Sequence, residues 1–391
     1  MELTRIQEAI REEGLDGWLF FDHHHRDPLA YRILGLDQTA QVTRRWYYFI
    51  PAAGEPRAMV HAVEPHKLDE LPGTKRVYSG WAAQRDGLPA LMNGARRIAM
   101  QFSPDCAVPY VAMVDAGTID LIRSCGFEVV TSADLVQRFD ARWSGEQLAS
   151  HLEAGRRVDE VRAAAFARVG DLLRAGDAVD EYAVKVFVRE AFDKAGLFTD
   201  HGPIIGVNAH ASDPHYEPEA AWSSPIRRGD ALLMDMWAKL NTPGAVYYDI
   251  TWTGYCGETL PDDVAKVFTI VRDARDRAFA LVRDRVAARQ PLRGFEVDDA
   301  ARGHIVDSGY GEYFVHRTGH SIGEEVHGTG ANMDNLETHD ERRVIPGTCF
   351  SVEPGIYLPR FGIRSEFNVY VSETEARVTG AVQTELIKIA G

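Results

Sequence analysis

Cysteine is scarce in this chain, and the four present lie far apart. Cys106, Cys125, Cys256 and Cys349 form no C-x-x-C pair. That pattern argues against a disulfide frame or a thiolate metal site and fits buried thiols in a reducing cytoplasm. Positive charge is also in short supply: 43 Lys and Arg stand against 58 Asp and Glu, a formal net charge of -15. Nucleic acid and anionic membranes both require a basic face, so neither is an expected partner. No apolar run approaches the roughly 18 to 20 residues of a membrane span. The opening residues, MELTRIQEAIREEGLDGW, are charged and amphipathic, unlike a signal peptide. What is present, 45% hydrophobic and 26% charged residues, is the composition of a soluble globular protein. At 391 residues the chain exceeds one ordinary core, and two domains are expected.

Residues 1–143 alternate helix and strand signals. Ile6, Ala9 and Ile10 have helical spacing closed by Gly14, and Trp18 to Phe21 reads as a strand. Trp46 to Ile50 and Arg57 to Val60 flank a turn at Ala53-Gly-Glu-Pro56, and two further strands, at 97–102 and 127–130, bracket a helix at 118–124. This predicts an α/β N-terminal domain. Ser144-Gly-Glu-Gln147 fits a capping box and opens the second domain, 144–391. Helix formers run from there to about residue 196 with a break at Gly176-Asp177, and a second helical stretch, Asp262 to Arg289, separates strand-rich regions at 201–257 and 311–388. The second domain therefore reads as two α+β halves.

Each half contains a hairpin that carries two acids. Asp235 lies inside an apolar strand and shares its face with Leu233 and Trp237, while Asp249 lies in the next strand beside Tyr247 and Thr251. The Asn241-Thr-Pro-Gly244 turn sits between them, and the midpoint of Asp235 and Asp249 falls at residue 242. Near the C-terminus Glu353 and Glu366 are spaced the same way around Leu358-Pro-Arg-Phe-Gly362. Acids paired across strands, with Cβ atoms about 4.5–5.5 Å apart, repel unless a cation lies between them. Between the two hairpins comes His316-Arg-Thr-Gly-His-Ser-Ile-Gly-Glu-Glu-Val-His327. It does not match the helical zinc-protease signature, because Arg317 follows the first histidine and Gly319 and Gly323 interrupt a helix. Four carboxylates and an imidazole form a hard, oxygen-rich set suited to a pair of Mn, Co, Fe or Zn ions. Two such ions lower the pKa of a shared water and polarise a carbonyl, chemistry suited to amide or phosphoester hydrolysis. His23-His24-His25 and His339 lie outside this pattern and read as loop and surface.

Five motifs, Met234-Asp235, Asp249-Ile-Thr251, His316-x-x-Gly-His320, Val352-Glu-Pro-Gly355 and Ile363-Arg-Ser-Glu366, resemble those of the pita-bread metallopeptidases, the family of methionine aminopeptidase, aminopeptidase P and prolidase. The resemblance covers about residues 150–391. The N-terminal part resembles the creatinase-like domain that precedes the catalytic domain in aminopeptidase P and prolidase, and the small bacterial Xaa-Pro dipeptidases are most similar in size. The resemblance implies a pita-bread catalytic domain with pseudo-twofold halves and a homodimer. It implies that Asp249 and Glu366 bridge two divalent ions, manganese by preference with zinc or cobalt as alternatives. Asp235 would hold one ion, and His320 with Glu353 the other. It further implies Glu353 as general base, His327 on the substrate and the tetrahedral intermediate, His316 at the proline pocket and His215 at the substrate end. Arg364, on the strand face of Glu366, is expected to orient that carboxylate. The expected substrate is a proline-containing dipeptide, with longer peptides as in aminopeptidase P as the alternative. A non-catalytic binding protein on this fold would be expected to have lost ligands. Trp252 departs from the family pattern, which has arginine there, and Asp235 and Asp249 are three residues further apart than usual.

Overall fold

A computed structural model describes residues 2–389. The chain divides into two compact units, one up to Asp140 and the other from Ala141 onward. Both mix helices with sheet. Among the described residues no helix is long and apolar enough to cross a membrane.

The first unit is built on a six-stranded sheet of β1 (Gly17–Asp22), β2 (Trp46–Pro51), β3 (Arg57–His61), β4 (Thr74–Tyr78), β5 (Arg97–Met100) and β6 (Glu128–Thr131), in the order β4-β3-β2-β1-β5-β6. β2 is antiparallel to both of its neighbours, and the other pairs are parallel. Alternate residues of the central strands enter two different cores. Trp18, Phe20, Trp46 and Tyr48 pack on one face, and Leu19, Phe21, Tyr47 and Phe49 on the other. A strand buried on both faces reads as an unbroken apolar run, which is how Trp18-Leu-Phe-Phe21 looks in the sequence. The helix Trp81–Leu91 was not anticipated, because Pro89 lies inside it.

In the second unit, helices Gly145–Ala175 and Glu181–Lys194 back a sheet of β7 (Leu197–Phe198), β8 (Ile204–Val207), β9 (Ala231–Leu240) and β10 (Tyr248–Tyr255). Ser144 caps the first helix through the expected capping box with Gln147. Helices Asp262–Ala287 and Gly294–Asp307 pack against a second group of strands: β11 (Ser321–Ile322), β12 (Cys349–Val352), β13 (Gly355–Leu358), β14 (Phe361–Arg364), β15 (Phe367–Val371) and β16 (Ala376–Thr379). A last strand, β17 (Ile387–Lys388), returns to pair with β10. Each half of this unit is thus a helix pair laid on an antiparallel ribbon.

The ribbons differ from expectation in one register. Asp235 pairs with Thr251 and Asp249 with Trp237, so the two aspartates sit diagonally and the hairpin centres on residue 243 instead of 242. Val246 and Tyr247 leave the ladder: their N–H groups donate to Ser150 Oγ and to the Gly323 carbonyl. This enlarges the loop and shifts the pairing. Because the shift is two residues, both acids stay on one face. The second ribbon has the expected register. Val352 pairs with Phe367 and Gly355 with Arg364, which leaves Glu353 and Glu366 opposite each other. The ladder breaks at these two residues, so the segment that carries Glu366 is divided into β14 and β15.

Candidate metal centre

The break lets the two ribbons join. Glu366 N–H donates to the Thr251 carbonyl at 3.0 Å, and Thr253 Oγ1 donates to the Arg364 carbonyl at 2.8 Å. The Asn368 amide clamps Asp249, accepting from its N–H at 3.0 Å and donating to its carbonyl at 2.7 Å. Alternate residues of β10 therefore face alternate residues of the second ribbon, and the acid-bearing faces meet. Glu353 N–H donates to the Thr318 carbonyl at 2.7 Å, which brings the histidine loop to the same place. β11 then runs beside β12, and the Ser351 hydroxyl accepts from His320 N–H at 2.9 Å. Gly319 makes this approach feasible, since a Cβ there would lie 1.9 Å from the Ser351 carbonyl oxygen.

Asp235, Asp249, His320 and Glu366 are buried and Glu353 is nearly so. His320 Nε2 lies 3.5 Å from Asp249 Oδ2 and 3.3 Å from Glu353 Oε1. Donor atoms of Asp249, His320 and Glu366 all fall within 4.8 Å of one another. Asp235 joins through Arg364, whose guanidinium is paired with Asp235 and has Nε 4.0 Å from Glu353 Oε2. All five expected ligands are thus gathered at one spot. Asp235 and Glu353 point to the same arginine, not to different sides of the unit.

The electrostatics show how poorly this spot tolerates its own charge. Burial pushes Asp235 up to about 7 despite the opposing pull of Arg364. Burial likewise raises Asp249, and it raises Glu366 well above the carboxylate range, with the neighbouring acids adding to the effect. Burial raises Glu353 too, yet its cationic neighbours, His320 first and then Arg364, bring it below its ordinary value. Asp235 Oδ1 and Glu366 Oε1 are buried without a hydrogen-bond partner among the described residues. Unpaired buried carboxylate oxygens are strongly disfavoured unless a cation completes them. Arg364 and His320 together cannot neutralise four acids, so the donor set fits two divalent ions.

The three histidines separate by their hydrogen bonds. His316 uses both ring nitrogens: Nδ1–H donates to the Arg317 carbonyl at 2.7 Å, and Nε2 accepts from the Tyr357 hydroxyl at 2.6 Å. Burial lowers it to about 4, so it is neutral. His320 Nδ1 faces the Ser321 carbonyl at 3.1 Å, which leaves the Nε2 lone pair for a metal. His327 is exposed, with its ring 4.3 Å from that of His320, and the His320 charge, followed by desolvation, lowers its pKa. His215 lies in an exposed turn where its N–H donates to Asp213, and its charge reaches His327. His316 thus has no free ring nitrogen, and His320 is the one member of the three directed at the acids.

Arg364 departs from the expected role. It contacts Asp235, Thr251 Oγ1 at 2.9 Å and the Tyr357 hydroxyl at 3.0 Å, and among the described residues Glu366 receives its hydrogen bond from Thr251 Oγ1, at 2.8 Å. Arg364 lies opposite Gly355, and from there its long side chain crosses to the first ribbon. Thr251 and Tyr357 were missed as functional residues. Strand periodicity contains the signal for both, since Thr251 follows Asp249 by two residues and Tyr357 follows Glu353 by four. Trp252 faces away from the acids into the helix-backed core, where Arg162 stacks on it at 3.6 Å, so the departure at this position leaves the centre intact.

Residues 150–373, a stretch that includes all five of these side chains, match the model of metallopeptidase family M24. The chain belongs to this family. It is 30% identical over 348 residues to the probable dipeptidase PepE of Mycobacterium tuberculosis, covering 87% of this chain and 84% of that one. An Xaa-Pro dipeptidase of Lactobacillus delbrueckii is 32% identical over 188 residues, 48% of this chain and 45% of the relative. The crystal structure of dipeptidase PepE from Mycobacterium ulcerans superposes with a TM-score of 0.70 at 25% identity, covering 99% of this chain and 96% of the other.

Proposed function

We propose that this M24 member is a dinuclear metallo-exopeptidase that hydrolyses the Xaa-Pro bond, with dipeptides as its substrates. The observation that carries the reading is the buried cluster of four carboxylates and His320, two of whose oxygens lack a partner. Asp235, Asp249, His320, Glu353 and Glu366 would hold the two ions, with manganese as the resident metal. The ions supply Lewis acidity and a water made nucleophilic near neutral pH.

The remaining steps belong to the chain's own side chains. Glu353, kept ionised and oriented by the Ser351 hydroxyl at 2.9 Å, accepts the proton of the attacking water and returns it to the departing proline nitrogen. His327, whose ring lies 4.3 Å from that of His320, donates an N–H to the developing oxyanion. Neutral His316 and Tyr357 line the space for the proline ring, and His215 lies at its open end. A proline amide has no N–H, so a site that binds through apolar walls and its free termini suits it better than one that reads the peptide backbone. The same reading includes a creatinase-like domain over residues 1–143, a pita-bread catalytic domain with pseudo-twofold halves over 144–391, a homodimer and a cytoplasmic location.

The test is hydrolysis of Ala-Pro, Ala-Ala and Ala-Pro-Pro after chelation and re-addition of Mn, Co or Zn. The expected result is metal-dependent cleavage with Ala-Pro preferred. Faster cleavage of Ala-Pro-Pro would identify an aminopeptidase P instead, and activity that survives chelation would refute the mechanism.

A further inference from the structure

Beside the acids on the first ribbon stands a large side chain for which the proposed mechanism has no use. Trp237 is the direct cross-strand partner of Asp249, and strand periodicity puts it on the face of Asp235 and Thr251. Its neighbours Met236 and Ala238 are fully buried, whereas Trp237 is only partly so. The indole packs against Ile204, Ala211 and Leu233 on one side and the Tyr247–Ile322 cluster on the other. Its Nε1–H donates to Asp200 Oδ1 at 3.0 Å, in the loop between β7 and β8. An aromatic ring held by packing and by a terminal hydrogen bond is a fixed wall, since leaving its place would break both.

The ribbons therefore present different walls to the same centre. The second supplies Tyr357 with its partner His316, and the first supplies Trp237. With the proline ring against His316, the residue before it faces the first ribbon.

We propose that Trp237 is a specificity-determining residue that limits the size of the substrate's first side chain, with Asp200 as the positioning residue that pins the indole. The inference rests on the dipeptidase reading above. The enzyme consequently favours glycine or alanine over leucine or phenylalanine before the scissile bond. A hydrophobic wall of this kind discriminates by roughly 10- to 200-fold.

The test is kcat/KM for Gly-Pro, Ala-Pro, Leu-Pro and Phe-Pro with the metal-loaded wild type, Trp237→Ala, Trp237→Phe and Asp200→Ala. Removal of the indole in Trp237→Ala is expected to raise the Phe-Pro to Ala-Pro ratio at least about tenfold, mainly through KM. Trp237→Phe and Asp200→Ala move it less and in the same direction. They carry the reading even if Trp237→Ala does not fold. Dissociation constants of the same dipeptides for a Glu353→Gln background are expected to follow the same order without turnover. A ratio unchanged in variants that still cleave Ala-Pro, or a wild type that cleaves Phe-Pro as well as Ala-Pro, overturns the proposal while leaving the dipeptidase reading intact. A wild type that cleaves no Xaa-Pro dipeptide refutes that reading, and this one with it.

Discussion

Two hairpins carry the acids, and they achieve their registers by different means. In the second, Leu358 pairs with Phe361 and only Pro359 and Arg360 lie between them. A tight turn of this kind leaves the strands one way to pair. In the first, residues 241–247 separate β9 from β10, and the register depends on what those residues bond to elsewhere. Ser150 and Gly323 hold Val246 and Tyr247 out of the ladder, and the aspartates end up diagonal. The tight hairpin thus fixes its own geometry. The loose one takes its geometry from a helix and from the histidine loop, which couples the position of Asp249 to the segment that carries His320 and His327.

Arg364 tests how strongly the first ribbon relies on the second. It is the cation that faces Asp235 in the absence of metal, and both are buried. Arg364→Met leaves a buried carboxylate without its partner, a loss of about 3–5 kcal/mol in the metal-free protein. Denaturant melts with and without Mn check this, and the loss is expected to shrink when ions take over the charge of Asp235.

His151 ties the two halves through their backs. Its ring nitrogens meet the Tyr247 carbonyl and Thr379 Oγ1, both at 2.6 Å, and burial lowers it to about 4. A histidine whose folded pKa is depressed stabilises the fold above its unfolded value, near 6.5, and that stability is lost as the pH falls towards 4. The expected loss across this window is about 3 kcal/mol. His151→Gln should flatten the decline in melting temperature between pH 6.5 and 4, and an unchanged slope would show that His151 does not couple the halves.

Thr251 gives the smallest and most local effect. Its hydroxyl accepts from Arg364 and donates to Glu366, so it connects the acid pairs of the two ribbons. Thr251→Val is expected to weaken metal binding by about 10- to 100-fold, the range for hydrogen-bond partners of ligands, with little change in melting of the metal-free chain. Calorimetric titration with Mn measures it.

Much of this was legible from residue spacing. The Glu353–Glu366 register and the Ser144 capping box follow from turn length and caps, which act locally, whereas the choice of His320 among three histidines came from the family resemblance. The first ribbon's offset was hidden because its cause lies at Ser150 and Gly323, far away in the sequence. The partner of Arg364 was hidden for a related reason: its strand face pointed to Glu366, while the length of its side chain took it to Asp235. The helix Gly294–Asp307 lacks a Ser, Thr, Asp or Asn cap, because Arg293 stands there and Glu296 bonds its N–H at 2.8 Å. Without that signal its start was not visible.

The central claim is that acids from both ribbons hold the same ions, and metal stoichiometry tests it most directly. Equilibrium binding of Mn to the chelated protein is predicted to give about two ions per chain for the wild type and fewer for Asp249→Asn, with hydrolysis of Ala-Pro reduced by more than about 100-fold. Equal stoichiometry and equal activity in the two proteins would contradict it.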